Sequence, residues 1–278
     1  MANVFGPGTR ESRILDGLDR QRLGLEIGPS HRPVAAKRDG FNVRILDHMT
    51  AGELRHKYEA HGVDLDRIEA VDYVWHGEKL RDLVGGERFA WIIASHVIEH
   101  TPDLVGFLED CQEILAPDGV LSLAVPDKRF CFDVLREVTS IAQVIDAHEL
   151  GRTVHTPGAV ADYFMNVARR HGAIAWDTRG VDGLEFGHSV REALECMPLA
   201  RDGHYIDLHA WCFTPSSFRL MMIDLNLLGL IGLTEARFFE TVGHEFFVAL
   251  RPGQASAERR MDLQIAKLRE IAEPFTAP

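Results

Sequence analysis

Two short stretches bring acid–base side chains close together. In His96-Val97-Ile98-Glu99-His100, an imidazole stands three residues before a carboxylate and four before a second imidazole. On a helix these positions share a face, so the three groups can converge. The order His-x-x-Glu-His is also that of the inverted zinc metalloproteases, where it lies inside a long helix. Here it follows an apolar strand pattern and precedes Thr101-Pro102, so proteolysis is not expected. As a metal site it would suit an ion softer than Mg²⁺, since two of its three groups are imidazoles. It equally serves a plain structural purpose, with Glu99 and His100 capping and packing the next helix and His96 lining a ligand. That is the expectation here, with no metal. In the second stretch, Tyr205-Ile206-Asp207-Leu208-His209-Ala210-Trp211, Asp207 and His209 alternate with apolar residues and share one face of an extended segment. A carboxylate beside an imidazole makes a general base for a hydroxyl. His209 is the first candidate base, Asp207 the acid that orients it, and His100 the second candidate. The alternative is an ordinary structural His–Asp hydrogen bond.

A third stretch, Leu25-Glu26-Ile27-Gly28-Pro29-Ser30, has the chemistry of a ligand turn. A strand ending in glycine lets a ligand approach the backbone closely. Glu26 can accept hydrogen bonds from a positively charged amino-acid moiety. Asp47, followed by His48, lies about 20 residues further on, where an acid at the end of the second strand binds a ribose hydroxyl. A complete Gly-x-Gly-x-x-Gly is absent, which counts against a dinucleotide oxidoreductase.

These residues need a scaffold that gathers strand ends. Strand patterns at Leu23 to Ile27, Val43 to Leu46, Ile68 to Trp75, Phe89 to Ala94 and Val120 to Val125 alternate with helix patterns. Thr50-Ala51-Gly52-Glu53 is a capping box. Glu78 to Val84 is a short helix closed by Gly85-Gly86. Thr101-Pro102-Asp103 opens a helix carrying Leu104, Phe107, Leu108, Cys111, Ile114 and Leu115 on one stripe, and Ala116 to Gly119 is a turn. Such alternation implies a parallel sheet with right-handed crossovers and ligands beyond the strands' carboxyl ends. From about residue 130 to 212 the rhythm breaks into helical stretches at Asp133 to Leu150 and Pro157 to His171 and a connection from Ala173 to His209, which reads as an inserted lid that shapes an acceptor pocket. Thr214-Pro215 opens a further helix. Leu233 to Phe239 and Glu245 to Leu250 pair as a terminal hairpin, and Ser256 to Ala272 is a charged amphipathic helix. The expected fold is α/β: a Rossmann-like, doubly wound, mostly parallel seven-stranded sheet with an antiparallel terminal hairpin and a helical insertion after the fifth strand, in a single domain spanning residues 1–278.

Bulk properties bound the rest. The 278 residues are 46% hydrophobic and 26% charged, enough for a core without staples. The net charge of -12 argues against a protein that grips nucleic acid through phosphates. Cys111, Cys131, Cys196 and Cys212 are scattered and suggest neither a zinc knuckle nor a disulfide framework. Met1 to Arg13 contains no apolar signal core. Leu220 to Leu233 is broken by Asp224, Asn226 and Gly229, so no membrane insertion is expected. A cytoplasmic protein with free thiols is the expectation. The sequence sets no oligomeric state.

In order along the chain stand Glu26-Ile27-Gly28-Pro29-Ser30, Asp47, Asp72, Phe89 to His100, and Leu115-Ala116-Pro117-Asp118-Gly119-Val120-Leu121. The series resembles that of class I S-adenosylmethionine-dependent methyltransferases, in the branch containing the ubiquinone-biosynthesis enzymes. The Tyr205 to Trp211 segment is similar to methyltransferases that accompany bacterial polysaccharide glycosyltransferases. The resemblance covers residues 20 to 126 and the terminal hairpin. It implies S-adenosylmethionine as cofactor, held at its methionine end by Glu26, Gly28, Pro29 and Ser30. Asp47 and His48 would stand at the ribose, Asp72, Tyr73 and Val74 at the adenine edge, and Ser95 and His96 on the sulfonium side. Ser30 stands where the family commonly has a second glycine, and Pro29 and Pro33 stiffen the turn, so the first helix should be short or absent. The implied activity is O-methylation of a sugar or other small polar metabolite, a small-molecule or glycan acceptor. The alternatives are an N- or C-methyltransferase, or a cofactor-binding scaffold of the same fold without catalysis.

Overall fold

The computed structural model describes residues 8–177 and 179–275. Residues 1–7, part of the Met1 to Arg13 stretch, Thr178 and residues 276–278 lie outside the described residues. The strands are β1 (Gly24–Ile27), β2 (Val43–Asp47), β3 (Tyr73–Val74), β4 (Phe89–Ser95), β5 (Leu115–Pro126), β6 (Ala168–Arg170), β7 (Ala173–Ile174), β8 (Leu184–Phe186), β9 (Leu233–Val242) and β10 (Glu245–Pro252). The α-helices are α1 (Arg10–Ile14), α2 (Ala51–Tyr58), α3 (Leu80–Leu83), α4 (Leu104–Ile114), α5 (Ile141–Glu149), α6 (Pro157–Asn166), α7 (Val190–Arg201), α8 (Pro215–Leu227) and α9 (Arg260–Ala272).

One seven-stranded sheet runs β3-β2-β1-β4-β5-β10-β9, parallel from β3 to β5 and antiparallel through β10 and β9. This is the expected doubly wound sheet with its terminal hairpin. The chain order reverses between β1 and β4, so loops leave the sheet there in opposite directions and open a crevice at the carboxyl ends.

Period-two burial sorts the side chains of the inner strands to two faces. Leu25, Ile27, Ile92, Ala94, Leu121, Leu123 and Val125 join Phe246 and Val248 under α4, α5 and α8. Ile45, Trp91, Ile93, Ala124 and Phe247 face the other way, with Ile14, Val34 and Phe41. No α-helix links β1 to β2; a 3₁₀ turn at Lys37–Asp39 stands in its place, as the two prolines imply. Trp91 fills that thin layer. Its indole donates to Asp19 O at 2.9 Å, and a Cβ on Gly24 would fall 2.1 Å from the ring. We expect Gly24→Ala to cost about 3 kcal/mol, the upper end for overpacking, read as a lower denaturant midpoint. An unchanged midpoint would mean that the indole moves freely.

Several boundaries differ from the sequence reading. Only Tyr73–Val74 pairs in the third strand, because the chain before it turns through a 3₁₀ segment at Leu65–Arg67. Helix α4 starts later than Thr101, since Asp103 accepts from Gly106 N as the N-cap while Thr101 Oγ1 donates to Ile98 O. Ala116 to Gly119 bulges within β5, between the paired residues Leu115 and Val120. The Asp133 to Leu150 stretch is helical only from Ile141, capped by Ser140 and Gln143. The insertion after β5 also holds structure the sequence reading left out: the antiparallel sheet β7-β6-β8 and helix α7. No helix among the described residues is long and apolar enough to cross a membrane. The four cysteines are free thiols, and burial raises the pKa of Cys111, Cys131 and Cys212.

Candidate active site

The first half of the site is the loop after β1. Glu26 points to the face opposite α4 and is almost fully buried. Its two oxygens accept from Val34 N at 2.7 Å and Ala35 N at 2.9 Å, which folds residues 28–35 back over the strand. Burial pushes its pKa up to about 7, against the pull of those two amides. Glu26 therefore shapes the loop rather than presenting a free carboxylate to a ligand. Gly28 has φ +65°, and a Cβ there would meet Val97 Cγ2 at 3.1 Å. Ser30 takes the same left-handed region at φ +51°, which a non-glycine residue adopts only at a cost.

Asp47, at the end of β2, secures this loop. Its Oδ2 accepts from Ser30 N at 2.9 Å, and its Oδ1 meets His48 N at 2.8 Å and His48 Nδ1 at 2.7 Å. Beside them, Ser30 Oγ and His31 Nδ1 are buried without a hydrogen-bond partner. A shallow cavity of about 490 Å³, walled by Met49, Gly52, Glu53, His56 and Lys57, opens beside His48. Another, of about 390 Å³ by Pro117, Asp118, Thr234 and Arg251, lies at the sheet's opposite, amino end. A glycine turn, two orphaned polar atoms and a strand-end acid fit a nucleoside bearing an amino-acid tail.

Two residues expected at the adenine edge are engaged elsewhere. The Asp72 carboxylate takes Ile45 N at 2.7 Å and Lys37 Nζ at 2.6 Å, a tie to the middle of β2. The Tyr73 hydroxyl donates to Glu87 at 2.5 Å, near the amino end of β4, and its pKa is pushed up to about 12 by burial and by that carboxylate. Val74 does reach the carboxyl end, paired with Asp47, and Trp75 N donates to Asp47 O at 2.9 Å. The sequence reading stopped one residue short of Trp75 and His76.

The second half is a ring of imidazoles around Glu99. His96 follows β4 with φ +53°, a second non-glycine residue in the left-handed region. The Ile98–His100 turn is 3₁₀ rather than α-helical, and residues 205–211 dock on it. Ala210 N donates to Glu99 O at 2.7 Å, the Trp211 indole to Thr101 O at 2.7 Å, and the Tyr205 hydroxyl to His100 O at 3.3 Å. These bonds bring the two histidine stretches together.

Each imidazole is held by a carboxylate through its outer nitrogen. His96 Nε2 pairs with Glu245 at 2.9 Å, His100 Nδ1 with Asp207 at 2.8 Å, and His209 Nδ1 with Asp133 at 2.5 Å. The inner nitrogens face one atom, Glu99 Oε1, at 3.6 Å, 4.0 Å and 3.9 Å respectively. Glu99 is 1% exposed, and neither of its oxygens has a hydrogen-bond partner. It therefore caps nothing: the cap of α4 is Asp103.

The pairing of Asp207 with His209 is thus corrected. Their alternation put them on one face, but the docked segment hands Asp207 to His100 and leaves His209 to Asp133. His209 is 3% exposed, packed between Phe132 and His100, whereas His100 is partly open. Burial alone would lower the His100 pKa, but Asp207 and Glu99 hold it above the ordinary value. His100 in turn holds the Asp207 carboxyl down to about 2.

Asp133, Glu245 and Arg10 were missed in the sequence. Asp133 also accepts from Arg136 Nη1 at 2.8 Å, and Arg136 reaches His209 O and Asp162. Arg10, from α1, donates to Glu245 at 2.6 Å and to Ser95 Oγ at 2.5 Å, over the ends of β4 and β10. Its charge and His96 hold Glu245 down to about 2 despite burial. The Asp133-x-x-Arg136 spacing was a readable signal; nothing near Arg10 or Glu245 in the chain was.

No curated protein matches the sequence. Among solved structures, CcbJ methyltransferase from Streptomyces caelestis is 15% identical, over 88% of this chain and 89% of that one, with a TM-score of 0.44. An S-adenosylmethionine-dependent methyltransferase from Clostridium acetobutylicum ATCC 824 is 9% identical over 83% and 84%, with a TM-score of 0.41. Mitomycin 7-O-methyltransferase MmcR is 14% identical over 87% of this chain with a TM-score of 0.41, and the chain spans 53% of its length. The family model described as a methyltransferase domain matches residues 12–224, from α1 through most of α8, and so takes in both halves of the site. The chain belongs to that family, and it is an S-adenosylmethionine-dependent methyltransferase.

Proposed function

We propose that the protein methylates a hydroxyl oxygen of a small polar acceptor, a sugar or glycan among them, and that the acceptor's proton is lost at the Glu99 cluster. The observation that carries this reading is the convergence of three carboxylate-held imidazoles on an unpartnered carboxylate, one turn beyond Ser95. The cofactor supplies a methyl group already activated on sulfonium. What the protein adds is position and a means of removing the proton. Gly28 and the loop to Ser30 would hold the methionine part, with Ser95 and His96 on the sulfonium side. Arg10, poised over Ser95, suits its carboxylate. Asp47 and His48 would meet the ribose, and the Val74 to His76 turn the adenine. His100, the more open of the imidazole pair with His209, would meet the acceptor; Asp207 would orient it. The residue 130–212 lid, with Tyr163 and Trp176 on its inner side, would wall the acceptor pocket. Mitomycin 7-O-methyltransferase modifies an oxygen of a small molecule, in keeping with this class of acceptor. Buried free thiols and an acidic surface suit a cytoplasmic enzyme that acts on neither nucleic acid nor membrane.

The test is calorimetry followed by an acceptor screen. S-adenosylhomocysteine should bind and NAD should not, and release of S-adenosylhomocysteine from S-adenosylmethionine should rise with hydroxylated acceptors. Release only with amines would move the reaction to nitrogen. Asp47→Ala should weaken S-adenosylhomocysteine binding at least about tenfold, because charge-assisted bonds contribute about 1.5–3 kcal/mol each. An unchanged dissociation constant would remove Asp47 from the ribose.

A further inference from the structure

Helix α9 has two apolar faces, and the fold uses one of them. Leu263 is buried on the side that packs on α8. On that side Glu270 accepts from Ser216 Oγ at 2.7 Å, and at the helix start Arg260 donates to Asp224 at 2.6 Å. The opposite side is apolar too. Met261, Ile265 and Leu268 are 68%, 41% and 57% exposed there, and Ala272 continues the row. These residues stand four, three and four positions apart, the spacing of the seam between two coiled helices. A helix that covers a monomer turns polar residues to water on its outer face. The outer face of α9 instead has the pattern of a helix that meets a second helix.

The charges beside the seam say which helix that is. Asp262 and Arg269 lie seven positions apart, two turns along the same edge of the seam, and both are exposed. Among the described residues neither side chain has a hydrogen bond or an ion pair. We propose that α9 is a self-association surface, through which two copies of the chain pair antiparallel about a two-fold axis. In that register Ile265 packs against the partner's Leu268 and Met261 against the partner's Ala272, while Asp262 meets the partner's Arg269. The two-fold axis repeats each contact, so both orphaned charges are matched in both copies. A parallel pair would set Asp262 beside the partner's Ala257 and Arg269 beside the partner's Gln264, and would leave all of these charges unmatched. The 13 residues of α9 give a seam about 20 Å long. That is at the small end of specific interfaces, so the dimer should form in the micromolar range.

Sedimentation velocity and light scattering of the full chain, from about 1 to 300 μM, span that range. The expected result is a mass that rises from one chain to two. Leu268→Lys should abolish the rise. Asp262→Arg and Arg269→Asp alone should each weaken the dimer by about tenfold, because each turns two attractions into two repulsions. The two reversals together should restore it, since the charges match again. At the lowest concentration, thermal unfolding and S-adenosylhomocysteine binding should stay at wild-type values in all four variants, because the three positions are exposed on the side of α9 away from α8. That control separates lost pairing from lost folding. Wild-type protein that remains one chain throughout would overturn the proposal and leave the seam to a different partner. A dimer that survives Leu268→Lys would lie on another surface and overturn it too. A double reversal no tighter than the single ones would overturn the antiparallel register.

Discussion

Asp133→Ala is expected to destabilise the protein by about 3–5 kcal/mol, the range for breaking one partner out of a buried ion pair. Asp133 is 1% exposed and serves two partners at once, His209 Nδ1 and Arg136 Nη1. Burial alone would raise its pKa, yet His209 and Arg136 hold it well below the ordinary carboxylate range. Removal leaves Arg136, itself 3% exposed, with Asp162 as its remaining carboxylate, and leaves the His209 ring free to turn. The insertion after β5 would suffer first, because Arg136 ties residues 133–136 to α6 through Asp162 and to the docked segment through His209 O. At about 2–4 °C per kcal/mol for large domains, the melting temperature should fall by about 6–20 °C. Asp133→Asn keeps the volume and one acceptor and should lie between. A melting temperature within a degree or two of wild type in Asp133→Ala would mean that water reaches Arg136 and replaces the carboxylate.

This contact also shows where sequence reasoning stops. Short-range chemistry was legible. The Thr50 capping box, the Thr214 cap, the turn before Val120 and the glycine pair after α3 are set by residues a few positions apart. The parallel sheet was legible because its strands carry apolar residues on both faces, and the hairpin because β9 and β10 are long. The insertion's small sheet was not. β6, β7 and β8 are two or three residues long and largely exposed, with no apolar alternation to read.

In the site, the residues were legible and their partners were not. His100 and His209 stand 109 positions apart, and their meeting depends on Ala210 N and Trp211 N reaching Glu99 O. Given that docking, each histidine takes whichever carboxylate its outer nitrogen faces. Local alternation could pair Asp207 with His209 but could not see Asp133 on the other side of the ring. The same holds for Asp72. It occupies the expected place in the chain, but the β2–β3 register seats it beside Ile45, short of the strand end.

His100→Ala should lower turnover by about 10²–10⁴-fold, the usual contribution of a positioned group that removes a proton. A sugar hydroxyl attacks poorly while protonated, and His100 is partly open with its ring fixed by Asp207. The loss should follow because proton removal by the imidazole needs Nε2 in place. Cofactor affinity should change little, because Gly28, Ser30 and Asp47 lie at other strand ends and make no contact with His100. Asp207→Asn acts only through the ring it orients, so it should cost less turnover and shift the pH profile: the neutral amide no longer stabilises imidazolium, and activity should extend to lower pH. The measurement is single-turnover methyl transfer with saturating S-adenosylmethionine, beside calorimetry of S-adenosylhomocysteine. Intact transfer in His100→Ala would move proton removal away from this cluster, to the acceptor's own acidity or to solvent. A matched fall in transfer and in cofactor affinity would instead mean that His100 supports the ends of the strands and does not touch the acceptor.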